Sequence, residues 1–133
     1  ARLYAQMEVQ LCDLVADLKG HVVDGRPALE NSSTLCRLGE VAVRIKYLEL
    51  LCKRSISAML HGGDALGSAS LAKSVCAELG QDLAELAFDV LGPLSGGRWA
   101  DRRLSSRSLT IAGGTTQINK GITATRVLGL PRR

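Results

Sequence analysis

One stretch of this 133-residue chain has residue types and spacing suited to holding a ligand: Ile111-Ala112-Gly113-Gly114-Thr115-Thr116-Gln117-Ile118. Two consecutive glycines let a backbone come close to a bound group. The threonines and glutamine that follow open a helical pattern, where free N–H groups and the helix dipole favour an anion. Read by itself, a pair of glycines ahead of a helix is more often a plain turn. No nucleophile–base grouping accompanies the stretch, nor does a phosphate loop ending in Lys-Ser or Lys-Thr. The two histidines, His21 and His61, and the four cysteines, Cys12, Cys36, Cys52 and Cys76, stand alone at wide intervals, so no metal site is expected. Carboxylates such as Glu8, Glu40, Glu49, Asp82 and Glu85 read as solvated charges on helices.

The elements around that stretch read as helices. Tyr4, Met7, Leu11, Leu14 and Leu18 recur at steps of three and four, giving a helix over Leu3–Val22 before the Asp24-Gly25-Arg26-Pro27 turn. Asn31-Ser32-Ser33 offers caps for a second, Ser33–Leu60, with an inner stripe at Leu35, Leu38, Ala42, Ile45, Leu48, Cys52, Ile56 and Met59. Ser68 or Ser70 opens a third, Ser68–Leu91, stopped by Gly92-Pro93. Ser95–Ala100 reads as a loop carrying Trp99, Asp101–Ile111 as a short helix, and Thr116–Leu128 as the last, running through Ile118, Ile122 and Val127. Long helices joined by short polar turns predict one all-α domain over residues 1–133, an antiparallel up-and-down four-helix bundle with an extra short helix.

Composition narrows the function. Hydrophobic residues are 46% of the chain, enough for a core. Aromatics are 3%, which argues against a sandwich of strands and against a base-stacking surface. Seventeen basic and thirteen acidic residues leave a net charge of +4, with the excess late in the chain at Arg98, Arg102, Arg103 and Arg107 and at the Pro131-Arg132-Arg133 end. That excess reads as a solvated face or as a contact for a cofactor phosphate. No helix carries the sustained basic stripe of a nucleic-acid binder. The longest uncharged run, Ser108 to Asn119, is about a dozen residues, short of the ~20 a membrane span needs. Scattered single cysteines fit a reducing, cytoplasmic setting.

Thr110 to Arg132 reads TIAGGTTQINKGITATRVLGLPR, and it closely resembles the C-terminal signature of the acyl-CoA dehydrogenase family. Ile111, Gly114, Thr115, Ile118, Ile122, Arg126, Leu128, Gly129, Leu130, Pro131 and Arg132 carry the match, with Ser70-Leu71-Ala72-Lys73, Glu78-Leu79-Gly80-Gln81 and Gly25-Arg26-Pro27 upstream similar to bacterial members. The resemblance implies a three-domain flavoenzyme of which this chain is the C-terminal bundle, without the N-terminal helical and middle β domains. It implies FAD as cofactor, an acyl-CoA substrate, an electron-transfer flavoprotein as acceptor, and a bundle that builds a homo-oligomer, dimer or tetramer, or a heterotetramer. It places FAD contacts at Gly114, Thr115 and Gln117 and at Arg26, the last toward a neighbouring subunit's phosphates.

Three departures bear on activity. Members that carry the catalytic Glu directly before the Gly-Thr pair have it where this chain has Gly113. Members that place it on the first helix have it one or two positions ahead of Ala1, so no catalytic residue is assigned and the isolated chain is expected to be inactive and to bind FAD weakly or not at all. Asp89-Val90-Leu91-Gly92-Pro93 replaces a flavin-contacting Gln-x-x-Gly-Gly, and Thr125 stands where an arginine would help hold the CoA adenine. A non-catalytic subunit of a heteromeric dehydrogenase and a plain helical oligomerisation module are the alternatives. The residues encoded just before Ala1 separate the readings.

Overall fold

A computed structural model describes residues 2–92 and 97–131. Five α-helices are described: α1 Arg2–Leu18, α2 Ser32–Leu60, α3 Leu66–Leu91, α4 Arg98–Ser106 and α5 Thr116–Arg126. Between α1 and α2, strands β1 Val22–Val23 and β2 Arg26–Pro27 pair antiparallel, Val22 with Pro27 and Val23 with Arg26. Two 3-10 turns, Ala28–Glu30 and Arg107–Thr110, lead into α2 and out of α4. The architecture is the expected all-α bundle. Among the described residues no helix is long and apolar enough to cross a membrane. Pro93, part of the Ser95–Ala100 loop, and Arg132-Arg133 lie outside the described residues.

The most deeply buried helix, α3, is the axis of the molecule. Thirteen of its residues are buried, including Leu79, Leu83, Leu86 and Ala87, so it is apolar nearly all round rather than along one stripe. Cross-links show its neighbours running antiparallel to it. Arg37–Asp89, Arg44–Asp82 and the 2.9 Å Ser55–Ser68 hydroxyl pair tie it to α2. Glu85 receives Arg103 and Arg107 from the α4 side. Two glycines admit the close neighbours: a Cβ on Gly67 would sit 2.7 Å from Val127, and one on Gly80 2.8 Å from Leu109.

Several boundaries and faces differ from the periodicity reading. α1 ends at Leu18, because Asp24 (φ 52°) and Gly25 (φ 76°) form a tight turn that pairs Val22–Val23 with Arg26–Pro27, and a strand pair cannot continue a helix. Asn31 caps α2, its Oδ1 accepting from the Thr34 N–H at 3.1 Å. The buried stripe of α2 is Thr34, Leu38, Val41, Ile45, Leu48, Cys52 and Ser55; Leu35, Ala42, Ile56 and Met59 are exposed. Two polar residues, Thr34 and Ser55, mark that true stripe, and an apolar-only count rotates away from them. α3 starts at Leu66, so Ser68 and Ser70 are buried within it and cap nothing. Trp99, only 2% exposed, belongs to α4, which starts at Arg98 and passes into a 3-10 turn. α5 ends at Arg126, and its buried residue is Asn119, while Ile118 and Val127 are exposed. Of the cysteines, Cys52 and Cys76 are core; Cys12 and Cys36 face solvent.

Candidate functional site

The glycine turn is built as the sequence suggests. Gly113 and Gly114 both take positive φ, 70° and 97°, a region that disfavours any side chain. Thr115 is then extended, and its Oγ1 accepts from the Ile118 N–H at 3.3 Å, so it is the N-cap of α5. A cap satisfies one of the orphan donors of a helix start and leaves the Thr116 and Gln117 N–H groups without an intrahelical acceptor. Those two amides, the Thr115 hydroxyl and a side-chain-free approach at Gly113 make a short anion-holding edge. Gln117 is exposed beside it, and Thr115 and Thr116 are half-buried. The donor set fits the pyrophosphate end of a dinucleotide.

Two side chains that sequence reasoning missed fix the turn. Lys73, on α3, donates from Nζ to the Leu109 carbonyl at 2.7 Å and to the Gly114 carbonyl at 2.8 Å. Asn119, buried on α5, donates from Nδ2 to the Gly114 carbonyl at 2.8 Å and the Thr115 carbonyl at 3.0 Å. Gly114 is closely fitted: a Cβ there would lie 3.2 Å from Asn119 Nδ2. The segment from Leu109 to Thr115 is thus clamped on both sides with its carbonyls turned into the protein. Lys73 lies within the upstream run that resembles the family, but nothing in its spacing distinguishes it from a solvated lysine.

Arg26 lies elsewhere. It is exposed on β2, and the hairpin is fastened to the far end of α3 by His21, whose Nε2 donates to the Val90 carbonyl at 3.0 Å. Val90 and Lys73 are 17 residues apart on one helix, about 25 Å along its axis. Gly114, Thr115 and Gln117 are therefore together, and Arg26 does not join them within one chain.

The structure also shows where the departures lead. Asp89 is engaged with Arg37 at 2.9 Å, and the Val90 carbonyl is taken by His21. Thr125 turns its hydroxyl back onto the Gly121 and Ile122 carbonyls of α5, at 3.1 and 3.2 Å. The late arginines are not a free basic patch. Arg98 pairs with Asp17 and Arg102 with Asp13, while Arg103 and Arg107 share Glu85. Trp99 Nε1 donates to Asp17 at 2.6 Å, and Arg102 stacks over the indole at 4.6 Å. The Trp99 hydrogen bond, helped by Arg98 and opposed by partial burial, holds the Asp17 carboxyl below its ordinary range. Among the other carboxylates, Glu49 sits between Lys46 and Lys53 and is lowered to about 2 by them.

The sequence profile of the acyl-CoA dehydrogenase C-terminal domain matches residues 1–128. The chain is 36% identical over 101 residues to the acyl-CoA dehydrogenase FadE34 of Mycobacterium tuberculosis, covering 72% of this chain and 14% of that protein. In fold it is similar to PigA, solved as an FAD complex (TM-score 0.85, 21% identity, 96% of this chain and 34% of that one). It is similar also to a chain of the ChsE4-ChsE5 complex of Mycobacterium tuberculosis (TM-score 0.83, 22% identity, 98% and 37%). The chain thus spans about a third of the solved chains and a seventh of the curated relative.

Proposed function

This chain belongs to the acyl-CoA dehydrogenase family, as its C-terminal domain, and on that premise we propose that it is the FAD-contacting and assembly-forming part of a flavin-dependent acyl-CoA dehydrogenase. Bound FAD would accept the hydride removed from the β-carbon of the acyl thioester. The observation that carries the reading is the clamped turn: positive φ at Gly113 and Gly114, a Thr115 cap, and two unengaged amides at Thr116 and Gln117. Those groups orient a pyrophosphate with no side-chain rearrangement. Arg26, at the opposite end of α3, serves the phosphates of a neighbouring subunit's FAD, which accounts for its distance from the turn. The whole enzyme is a cytoplasmic homo-oligomer or heterotetramer that passes electrons to an electron-transfer flavoprotein.

The test uses the whole protein that carries this segment. Thr115→Ala and Gly114→Val should lower its FAD content after purification, and Arg26→Ala should lower it in the oligomer. Full FAD content in all three variants would refute the assignment of these contacts. One observation favours a second reading: Gly113, at the position of a carboxylate in many members, cannot take a proton. If the residues before Ala1 also lack a glutamate, the chain is a non-catalytic subunit that keeps its FAD contacts.

A further inference from the structure

On the dehydrogenase reading above, we infer that the groove between α1 and α4 holds the far part of the acyl group, and that it selects an acyl group bearing a hydroxyl or ketone oxygen over a plain alkyl chain. Ala5, Gln6, Val9 and Gln10 of α1 and Arg102 and Ser105 of α4 line a groove of about 570 Å³, a size usual for small-molecule sites. Steps of one, three and four residues put the four α1 positions on one face of that helix. The register of α1 places the groove. α1 follows α3 in the same direction, with Met7 beside Gly80 and His21 bonded to Val90. Lys73 is seven residues before Gly80, and the position just ahead of Ala1 is seven before Met7. Carried back along the two helices, both lie about 10 Å from the Met7–Gly80 contact. That position is therefore level with Lys73, whose Nζ holds the Gly114 carbonyl and whose Cε would lie 3.8 Å from a Cβ on Gly113. The two positions named above for a catalytic glutamate thus converge on one level of the bundle. The groove opens from that level: Gln6 is about 9 Å and Gln10 about 15 Å further along α1.

Its lining is polar but carries no unpaired charge. Gln6 is exposed and Gln10 half-buried, and their carboxamides offer both donors and acceptors. The Ser105 hydroxyl donates to the Arg102 carbonyl at 3.2 Å, which leaves its oxygen free to accept. Arg102 closes the far end. Its Nη2 donates to Asp13 at 2.6 Å, so its charge is already met. Its Nη1 is, among the described residues, the buried side-chain nitrogen or oxygen without a hydrogen-bond partner, and an oxygen seated at this end would satisfy it after a small turn of the guanidinium. An alkyl chain laid along these groups would strip their water and return no hydrogen bond. A carboxylate would meet no free cation. A hydroxyl or ketone oxygen meets the lining on both counts, while Ala5 and Val9 give its carbon frame an apolar strip.

Steady-state kinetics of the whole FAD-loaded protein that carries this segment tests this with matched pairs of acyl-CoA thioesters. One member of each pair is a saturated chain, and the other is the same chain with a hydroxyl or ketone about 9–15 Å from the α-carbon. In at least one pair the oxygenated member should have a kcat/KM at least about tenfold higher. Gln6→Leu together with Gln10→Leu should bring the two members to within about threefold, through a raised KM for the oxygenated one, with FAD content unchanged. Gln10→Ala, the milder variant, should lower the ratio in the same direction where the double variant does not fold. Alkyl thioesters oxidised as well as their oxygenated partners would overturn the inference and leave the dehydrogenase reading standing. So would a ratio that the variants leave unchanged while the melting temperature falls, the mark of a groove filled by another domain. If no thioester of either kind reduces the flavin, both fall.

Discussion

Lys73 shows how much of the site depends on a residue outside the glycine stretch. Its ammonium bridges the Leu109 and Gly114 carbonyls, the two ends of the segment that sets the α5 start. Lys73→Met removes two hydrogen bonds from a charged, half-buried donor, each worth about 1.5–3 kcal/mol at most and less after solvent screening. The expected result is a stability loss of roughly 1–3 kcal/mol, and amide exchange at Gly113–Gln117 at least about tenfold faster while α3 keeps its protection; unchanged exchange at the turn would remove Lys73 from the clamp. The glycines and Thr115 were legible, since residue type alone implies positive φ and a cap. Lys73 and Asn119 were not, because periodicity ranks positions by apolarity and reads a buried amide or a clamping amine as a surface residue. Asp17 gives a pH-dependent counterpart. Its carboxyl is held low in the folded chain, so over the window from its ordinary value near 3.8 downward the unfolded chain binds more protons. The stabilisation is therefore present above that window and lost as pH falls through it. Asp17→Asn should cost about 1 kcal/mol at neutral pH, and the difference from wild type should shrink below pH 3.8 in urea melts. A constant difference across that range would show that packing, not charge, is at stake.

At the scale of elements, caps and close approaches decide what the helices can hold. Thr115 starts α5 through its hydroxyl, so Thr115→Ala should cost about 1 kcal/mol and fray the first turn, while Thr115→Ser should restore most of it. Gly80 lets α3 approach Leu109, which leads directly into the clamped turn. Gly80→Val would drive Leu109 outward, and a loss of roughly 1–3 kcal/mol together with faster exchange at Gly113–Thr115 is expected; a loss of stability with the turn undisturbed would uncouple the two. The five helices were legible because their apolar spacing is long and their turns carry Gly, Asn and Asp. Faces were legible where one stripe is buried, as for Met7, Leu14 and Leu18 on α1. They were less so on α2, whose second apolar face competes with the first, and on α5, where Asn119 and not Ile118 points inward. The hairpin before α2 was hidden by its length: two residues per strand leave no alternation to read.

For the whole molecule, the composition was more apolar than one core requires. On α2 and α3, Val41, Cys76, Ala84 and Ala87 are buried within the chain, and Leu51 and Phe88 are half-buried. Val43, Tyr47 and Leu50 remain outside, joined by Leu104, Ile111, Leu128 and Leu130 near the end of the chain. A bundle exposing that much apolar surface is suited to being covered by other domains and other subunits. The same geometry limits the isolated chain. Its turn offers two amides and a hydroxyl, while Arg26 points from the other end of α3, too few contacts to offset association costs of several kcal/mol. A fluorescence titration of this chain with FAD at micromolar concentration should accordingly show no tight stoichiometric complex.

If this bundle belongs to a working flavin-dependent acyl-CoA dehydrogenase, substrate should bleach the flavin absorbance under anaerobic conditions. The whole protein containing this segment, loaded with FAD, is mixed with a series of saturated acyl-CoA thioesters of graded chain length. At least one thioester should bleach the flavin stoichiometrically and yield the α,β-unsaturated thioester. Bound FAD that no thioester reduces, or a whole protein that takes up no FAD, would contradict it.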